Sequence, residues 1–297
     1  MIESPPLHPF SRLSARGIAV AAAAGLVPAA LFAAFGHWPL ARDVGFMTIV
    51  VYLCLGAALH GYARLRGAEL ARVYGPRPAA RDVLSAVGFG LATIGLNIGL
   101  LALLSGLVGL FAPAVLADRM SDENSFMYRQ IQALGPVSRA LLGVGIALFA
   151  PWIEEFIFRG LLFTRWARRF GLRTGVFASA AVFGALHFTT SPFTAFLIGI
   201  ALAVLYARTG SLWVPIAAHM TNNGFIYAAT LLLGRGAGDS AALVSTSARG
   251  EAGWLIAGGV LLVALVLPFY VRTLRRWWPA AGAPLPYDRE ARGADTP

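Results

Sequence analysis

Long apolar runs separated by short polar segments dominate the chain. A membrane-spanning helix needs about 20 residues, and eight runs approach or exceed that length. They cover residues 17–36, 44–63, 83–111, 137–163, 174–188, 193–207, 213–233 and 254–271. The fifth and sixth are short and could instead form one broken or re-entrant unit. Keeping them separate predicts an all-α protein, a polytopic transmembrane helical bundle of about eight helices.

Composition agrees with this pattern. The sequence is 58% hydrophobic and only 13% charged, and its mean hydropathy is +0.69, whereas soluble domains carry about 25% charged residues. We therefore expect an integral membrane protein. The first run follows Arg12 and Arg16 and could be a signal peptide, but at 20 residues it exceeds the usual hydrophobic region of about 7–15. A retained helix is the better interpretation.

The net charge of +10 reflects topology rather than nucleic-acid binding. Every basic residue is arginine, and nearly all of the 24 lie in short segments between apolar runs. If both termini are cytoplasmic, seventeen arginines face the cytoplasm, six face the opposite side, and Arg159 lies within the membrane. The positive-inside rule favours that orientation. The arginine-only composition suggests a bacterium, so we expect an inner-membrane protein whose partners are the lipid bilayer and a membrane-associated substrate, with no nucleic acid.

The same boundaries divide the chain into five parts. A cytoplasmic N-terminal segment (1–16) precedes helices 1–3 with their loops (17–136), and a core (137–233) contains the polar residues described next. A loop with the last helix (234–271) leads to a tail (272–297) that is first basic and then, from Pro279, disordered. Cys54 is the single cysteine, which excludes an intramolecular disulfide and a cysteine metal cluster.

Two carboxylates and an arginine interrupt the fourth apolar run. A charge at the bilayer centre costs roughly 2.5–3.5 kcal/mol on insertion scales, so these three must be satisfied within the fold. In a helix, Glu155 and Arg159 are one turn apart on the same face, which predicts an ion pair. Glu154 projects about 100° away and is left to face a cavity, where it is the best candidate for a general base. A purely structural network of the three charges is the alternative.

Histidines in later apolar runs favour a catalytic site over a purely structural network. His219 lies within the seventh run with Asn223 one turn later, and His187 lies near the end of the fifth. Intramembrane histidines mark functional sites by default. A lone histidine near a helix end, such as His187, is more often an interfacial or hydrogen-bonded polar group than part of a site, and that interpretation applies more strongly to His37 and His60. Asn97 and the Gly95–Gly99 spacing are typical of helix packing.

These polar residues suit peptide-bond hydrolysis by either of two mechanisms. A carboxylate could deprotonate a water while imidazole or amide donors stabilise the oxyanion. Alternatively, Glu154, His187 and His219 could hold a divalent metal such as zinc, as a His₂Glu set does in metallopeptidases. The His-Glu-x-x-His and Gly-x-Ser-x-Gly motifs are both absent from the sequence. The sequence leaves the choice between a bound metal and a water alone open.

Three motifs occur in order on successive spans, and each carries part of the polar set. They are Glu154-Glu155-x-x-x-Arg159, Phe183-x-x-x-His187 and His219-x-x-x-Asn223. The pattern resembles the CPBP family of intramembrane proteases, which includes the CAAX prenyl endopeptidases and bacterial members linked to bacteriocin self-immunity.

The resemblance covers roughly residues 150–230 and implies roles for matching positions. Glu154 would activate the attacking water, and His187, His219 and Asn223 would stabilise the oxyanion or complete the polar site. Glu155 and Arg159 would support the geometry. An intramembrane endopeptidase is thus the leading hypothesis. A non-catalytic membrane scaffold or immunity protein, and a proton-coupled transporter, are the alternatives.

Overall fold

Helices form nearly all of the part of the chain that the computed structural model describes, namely residues 9–114, 130–187, 192–233, 237–280 and 282–288. No strand occurs within these ranges, so the predicted all-α class is confirmed. The helices are α1 (Pro9–Arg12), α2 (Ala15–Phe35), α3 (Val44–Leu65), α4 (Leu70–Tyr74), α5 (Ala80–Phe111), α6 (Pro136–Phe170), α7 (Leu172–Leu186), α8 (Pro192–Thr209), α9 (Trp213–Leu233) and α10 (Ala237–Trp277).

Six of these helices are long and apolar enough to cross a membrane: α2, α3, α5, α6, α8 and the Ala252–Trp277 part of α10. An integral membrane protein is therefore supported, but the predicted count of eight spans is not confirmed. The fifth predicted span, α7, has only 15 residues. The seventh, α9, has the predicted bounds and a length of 21 residues, but His219, Asn222 and Asn223 lower its mean hydropathy.

Helix α6 changes its hydrogen-bonding pattern four times. It is α-helical at Pro136–Val144, π-helical at Gly145–Phe149, α-helical at Ala150–Glu155, π-helical again at Phe156–Phe163 and α-helical at Thr164–Phe170. Each π segment widens a turn, and such segments occur frequently at functional sites. The short α-helical stretch between them carries both glutamates, and Arg159 lies in the second π segment.

Close packing at glycines holds the bundle together. Helix α5 packs along α10, and α7 packs along α8. A Cβ on Gly99 would lie 3.2 Å from the backbone nitrogen of Val263 on α10. A Cβ on Gly95 would lie 3.3 Å from Cγ2 of Val266 on the same helix. The two helices therefore approach at these positions because there is no side chain between them. The packing role expected for the Gly95–Gly99 spacing is confirmed.

The C-terminal tail differs in part from the predicted disorder. Pro286–Asp288 form a 3₁₀ helix in which Pro286 and Tyr287 are buried. The Tyr287 hydroxyl accepts a hydrogen bond from the backbone N–H of Glu69, and its ring packs edge-on against Phe10 at 4.9 Å. The Pro-, Ala- and Gly-rich composition of the tail did not indicate that Tyr287 would be buried. The rest of the predicted disordered segment, at residue 281 and residues 289–297, lies outside the described residues.

Candidate active site

The ion pair predicted from the sequence spacing lies at the centre of the bundle. Arg159 Nη1 donates to Glu155 Oε1 at 2.6 Å, and both side chains are completely buried. Arg159 Nη2 donates to the backbone carbonyl of Gly199 on α8 at 3.1 Å. The guanidinium also lies over the ring of Phe183, 4.7 Å from its centroid. Arg159 therefore joins α6 to α7 and α8, which compensates for part of the cost of burying its charge.

His219 lies between the two consecutive glutamates. Its Nδ1 is 2.8 Å from Glu155 Oε1, and its Nε2 is 3.9 Å from Glu154 Oε2. An ionised carboxylate only accepts hydrogen bonds, so Nδ1 carries the proton in the shorter contact. The contact with Glu155 fixes the imidazole and turns Nε2 towards Glu154. The sequence placed His219 near Glu154 but did not predict its link to Glu155.

Glu154 has two oxygens in different surroundings. Oε1 accepts a hydrogen bond from the Tyr52 hydroxyl on α3 at 3.2 Å. Oε2 is buried and makes no hydrogen bond to any described residue. The side chain is 18% exposed, whereas that of Glu155 is fully buried. Glu155 Oε2 also lacks a hydrogen-bond partner among the described residues, so the exposure of the side chain is what distinguishes Glu154 from Glu155.

Asn223 connects α9 to the first π segment of α6. Its Nδ2 donates to the backbone carbonyl of Ile146 at 3.1 Å, and its Oδ1 accepts from Asn222 Nδ2 at 3.2 Å. Both partners restrict the amide to one orientation. Asn223 is one helical turn after His219 and faces the same helix, α6, that carries Glu154.

His187 approaches this group of residues through an aromatic ring. It ends α7, where its Nδ1 lies 2.8 Å from the backbone oxygen of Phe183. The ring of Phe183 has its centroid 4.4 Å from that of His187 and 5.7 Å from that of His219. Phe183 therefore contacts both histidines, and the second motif of the sequence supplies both His187 and this aromatic ring.

The proposed metal ligands do not form a metal site in this conformation. Over the described ranges, no group of three His, Cys, Asp or Glu side chains is close enough to hold a metal ion. The ring of Phe183 contacts the rings of both His187 and His219, and Glu155 is bonded to Nδ1 of His219, which leaves Nε2 open. The set of Glu154, His187 and His219 thus lacks the convergence that a three-ligand zinc site needs.

A hydrogen-bonded network supports Trp152, which lies two positions before Glu154 on α6. Trp152 Nε1 donates to the Tyr74 hydroxyl at 2.7 Å, and His60 Nε2 lies 2.7 Å from the same hydroxyl. Indole only donates, so Tyr74 accepts from Trp152 and gives its own proton to His60. His60 then donates from Nδ1 to the carbonyl of Gly56 at 2.7 Å. Burial raises the pKa of Tyr74 to about 12, so the hydroxyl keeps its proton at neutral pH.

A cleft of about 270 Å³ lies beside this network, between α3 and α6. It is lined by Leu53, Gly56, Ala57, His60, Trp152 and Ile153. Leu53 and Ala57 are exposed at the outer surface of the bundle. The cleft leads from that surface to the segment of α6 that immediately precedes Glu154.

The sequence pattern did not indicate Tyr52, Tyr74 or Trp152. It favoured an interfacial or hydrogen-bonded polar group for His60, and both ring nitrogens of His60 are hydrogen-bonded. A tyrosine or tryptophan in an apolar helix has no distinctive pattern, because amphipathic aromatic residues are common in membrane proteins. The partners also lie far apart in sequence: 102 residues separate Tyr52 from Glu154, and 78 separate Tyr74 from Trp152. A local spacing rule cannot detect such pairs.

Comparison with known proteins agrees with the family resemblance. Residues 136–225 match the family model described as "Type II CAAX prenyl endopeptidase Rce1-like", a range that includes all six candidate site residues. Over 109 residues the chain is 29% identical to the Bacillus subtilis protein named "Putative membrane peptidase YdiL". That alignment covers 36% of this chain and 43% of the relative, so the chain spans less than half the length of the curated relative it matches. No solved structure matches. The resemblance to this protease family is confirmed over this part of the chain.

Proposed function

We propose that the protein is an intramembrane endopeptidase that hydrolyses a peptide bond of a membrane-associated protein or peptide. The observation that carries the proposal is the 3.9 Å separation between Glu154 Oε2 and His219 Nε2. Both atoms are oriented by partners on their other sides, since Tyr52 contacts Glu154 and Glu155 contacts His219. The match of residues 136–225 to a protease family supports the same activity.

Glu154 acts as the general base in this proposal. A separation beyond direct hydrogen-bonding distance is compatible with a bridging water. Glu154 Oε2 removes a proton from this water while the water oxygen forms a bond to the carbonyl carbon of the substrate. The carbonyl oxygen becomes an oxyanion. When the C–N bond breaks, protonated Glu154 returns its proton to the amide nitrogen, which leaves as an amine and restores the carboxylate.

Donors around the water stabilise the oxyanion. His219, in its protonated form, donates from Nε2 to the oxyanion while its Nδ1 stays bonded to Glu155. Asn223 and His187 complete the polar surface on the side of α9 and α7. Arg159 neutralises Glu155, so that Glu154 is not next to an unpaired negative charge. The proposed reaction needs these side chains and one water, with no step at a metal.

The membrane setting determines which substrates can reach Glu154. The cleft between α3 and α6 opens at the outer surface of the bundle and is lined mainly by apolar residues. A substrate that is embedded in the bilayer, or is anchored to it, can approach through this cleft. From the distribution of arginines along the sequence, we infer a bacterial inner membrane with both termini in the cytoplasm.

The experiment that tests the activity is cleavage of a diverse library of peptides and membrane proteins by the purified full-length protein. New N-termini, identified by mass spectrometry, are the expected result. A non-catalytic scaffold would produce none. A proton-coupled transporter would also produce none and would instead show pH-dependent flux in liposomes. Flux without any cleavage product would therefore contradict the proposal.

A further inference from the structure

We propose that Tyr52 is a positioning residue for Glu154, an inference that rests on the proposed role of Glu154 as general base. The Tyr52 hydroxyl donates to Glu154 Oε1 at 3.2 Å. The other carboxylate oxygen, Oε2, has no hydrogen-bond partner among the described residues and lies 3.9 Å from His219 Nε2. Tyr52 thereby leaves a single oxygen of Glu154 available to take a proton.

Orientation matters because a glutamate carboxylate rotates easily about its last bond. That torsion joins an sp³ to an sp² carbon, and its distribution is broad and roughly two-fold. Without a donor on one side, both oxygens would alternate in the position that faces His219, and intermediate angles would be populated. One hydrogen bond from a rigid phenol restricts the torsion. The lone pair of Oε2 then keeps its direction towards the water position.

Helix α3 can present this hydroxyl because it approaches α6 closely. Gly56 is one turn after Tyr52 and is buried, and a Cβ there would lie 2.6 Å from Ile153 Cδ1. Ile153 immediately precedes Glu154. The missing side chain at Gly56 lets Ile153 pack against the backbone of α3, which brings the Tyr52 hydroxyl within reach of the carboxylate. The reach of Tyr52 thus depends on a specific contact between the two helices.

Tyr52 and Glu155 each contact one member of the proposed catalytic pair, which consists of Glu154 and His219. Tyr52 orients Glu154 from α3, whereas Glu155 orients His219 from within α6. The base and the imidazole are therefore each held on the side opposite to the proposed water. A role limited to satisfying a half-buried carboxylate would affect stability alone, so kinetics distinguish the two interpretations.

The first test measures kcat and KM for Tyr52→Phe, using a peptide that the wild type cleaves in the library experiment. This change removes only the hydroxyl. We expect kcat to fall about tenfold, as for loss of a hydrogen bond to a charged group, with KM changed less than about twofold. The matched control is Tyr62→Phe on the same helix, whose hydroxyl lies 3.4 Å from the backbone nitrogen of Ser14. It should retain wild-type kcat.

The second test is a double-mutant cycle with Glu154→Asp. The aspartate side chain is one methylene shorter and cannot reach the Tyr52 hydroxyl from the same backbone position. In the Glu154→Asp background, Tyr52→Phe should therefore change kcat less than about twofold. An equal tenfold loss in both backgrounds would mean that Tyr52 acts through packing and would overturn the proposal.

The third test detects the contact without activity. Difference infrared spectroscopy between the wild type and Glu154→Gln identifies the carboxylate band of Glu154. In Tyr52→Phe this band should shift, and in Tyr62→Phe it should not. An unshifted band, or a wild-type kcat in Tyr52→Phe, would overturn the role of Tyr52 while leaving Glu154 as the base. Failure of the proposed function is a different result, since the wild type and Tyr62→Phe would then also cleave nothing.

Discussion

His219 Nδ1 lies 2.8 Å from Glu155 Oε1, so a residue on α9 is oriented by the glutamate that the sequence paired only with Arg159. The same carboxylate oxygen accepts from Arg159 Nη1 at 2.6 Å. Glu155 thus neutralises a buried arginine and fixes a buried imidazole. In the proposed mechanism the two adjacent glutamates therefore have separate roles, with Glu155 supporting the geometry and Glu154 facing the reaction.

The site-facing nitrogen of His219 can be removed while its contact with Glu155 is retained. In His219→Asn, the side-chain amide can occupy the position of Nδ1 and donate to Glu155, but nothing replaces Nε2. We expect kcat to fall about 100-fold, as when one oxyanion donor is lost, with a thermal midpoint close to that of the wild type. His37→Asn, at an exposed histidine, is the control. Near-wild-type turnover in His219→Asn would argue against the assigned role of Nε2.

Breaking the buried ion pair should cost far more stability than breaking an exposed one. Arg159→Met leaves the negative charge of Glu155 buried without its guanidinium, and we expect the free energy of unfolding in detergent to fall by about 3–5 kcal/mol. The matched control is Glu69→Gln, which breaks the exposed pair with Arg72 at 3.3 Å and should cost less than about 1 kcal/mol. Similar small losses for both variants would contradict the structural role of Arg159.

Gly199 should not tolerate a methyl group. A Cβ there would lie 3.0 Å from Ala180 Cα, where α7 and α8 meet, and the carbonyl of Gly199 accepts from Arg159. Gly199→Ala should lower stability by about 1–3 kcal/mol through overpacking and should also reduce turnover. Gly258→Ala, on α10 with nothing within 4 Å of its Cβ position, is the control. The idea fails if both alanines leave the thermal midpoint unchanged.

Chelation measures whether a metal takes part. Because the described side chains include no convergent three-ligand group, we expect incubation with EDTA or 1,10-phenanthroline, followed by dialysis, to leave kcat unchanged. A zinc endopeptidase of known sensitivity serves as the positive control. Loss of cleavage on chelation, and its return on addition of zinc, would instead support a site at Glu154, His187 and His219.

Local spacing predicted part of this site. The four-residue separation of Glu155 and Arg159 was enough to predict their ion pair, and the bounds of α9 match the seventh apolar run. Both follow from the 3.6-residue period of the helix. The position of His219 beside Glu155 depends instead on the approach of two helices whose contacting residues are 64 positions apart, which no helical period encodes.

The fold differs from the sequence prediction in α9 and in the C-terminal tail. The polar residues of the candidate site in α9 also lower its mean hydropathy, so α9 is not among the six helices that are long and apolar enough to cross a membrane. In the tail, Pro286 and Tyr287 are buried within a segment whose composition is typical of disorder. The orientation of Tyr52 towards Glu154 depends on the packing of Gly56 against Ile153, and that packing is a tertiary feature.

Turnover by Glu154→Gln tests whether Glu154 is the base that activates water. Glutamine preserves the shape of the side chain and can still contact Tyr52, but it cannot accept a proton from water. We predict that Glu154→Gln retains the thermal midpoint of the wild type and loses cleavage by at least about 100-fold, while Glu69→Gln cleaves normally. Cleavage by Glu154→Gln at the wild-type rate would contradict the account.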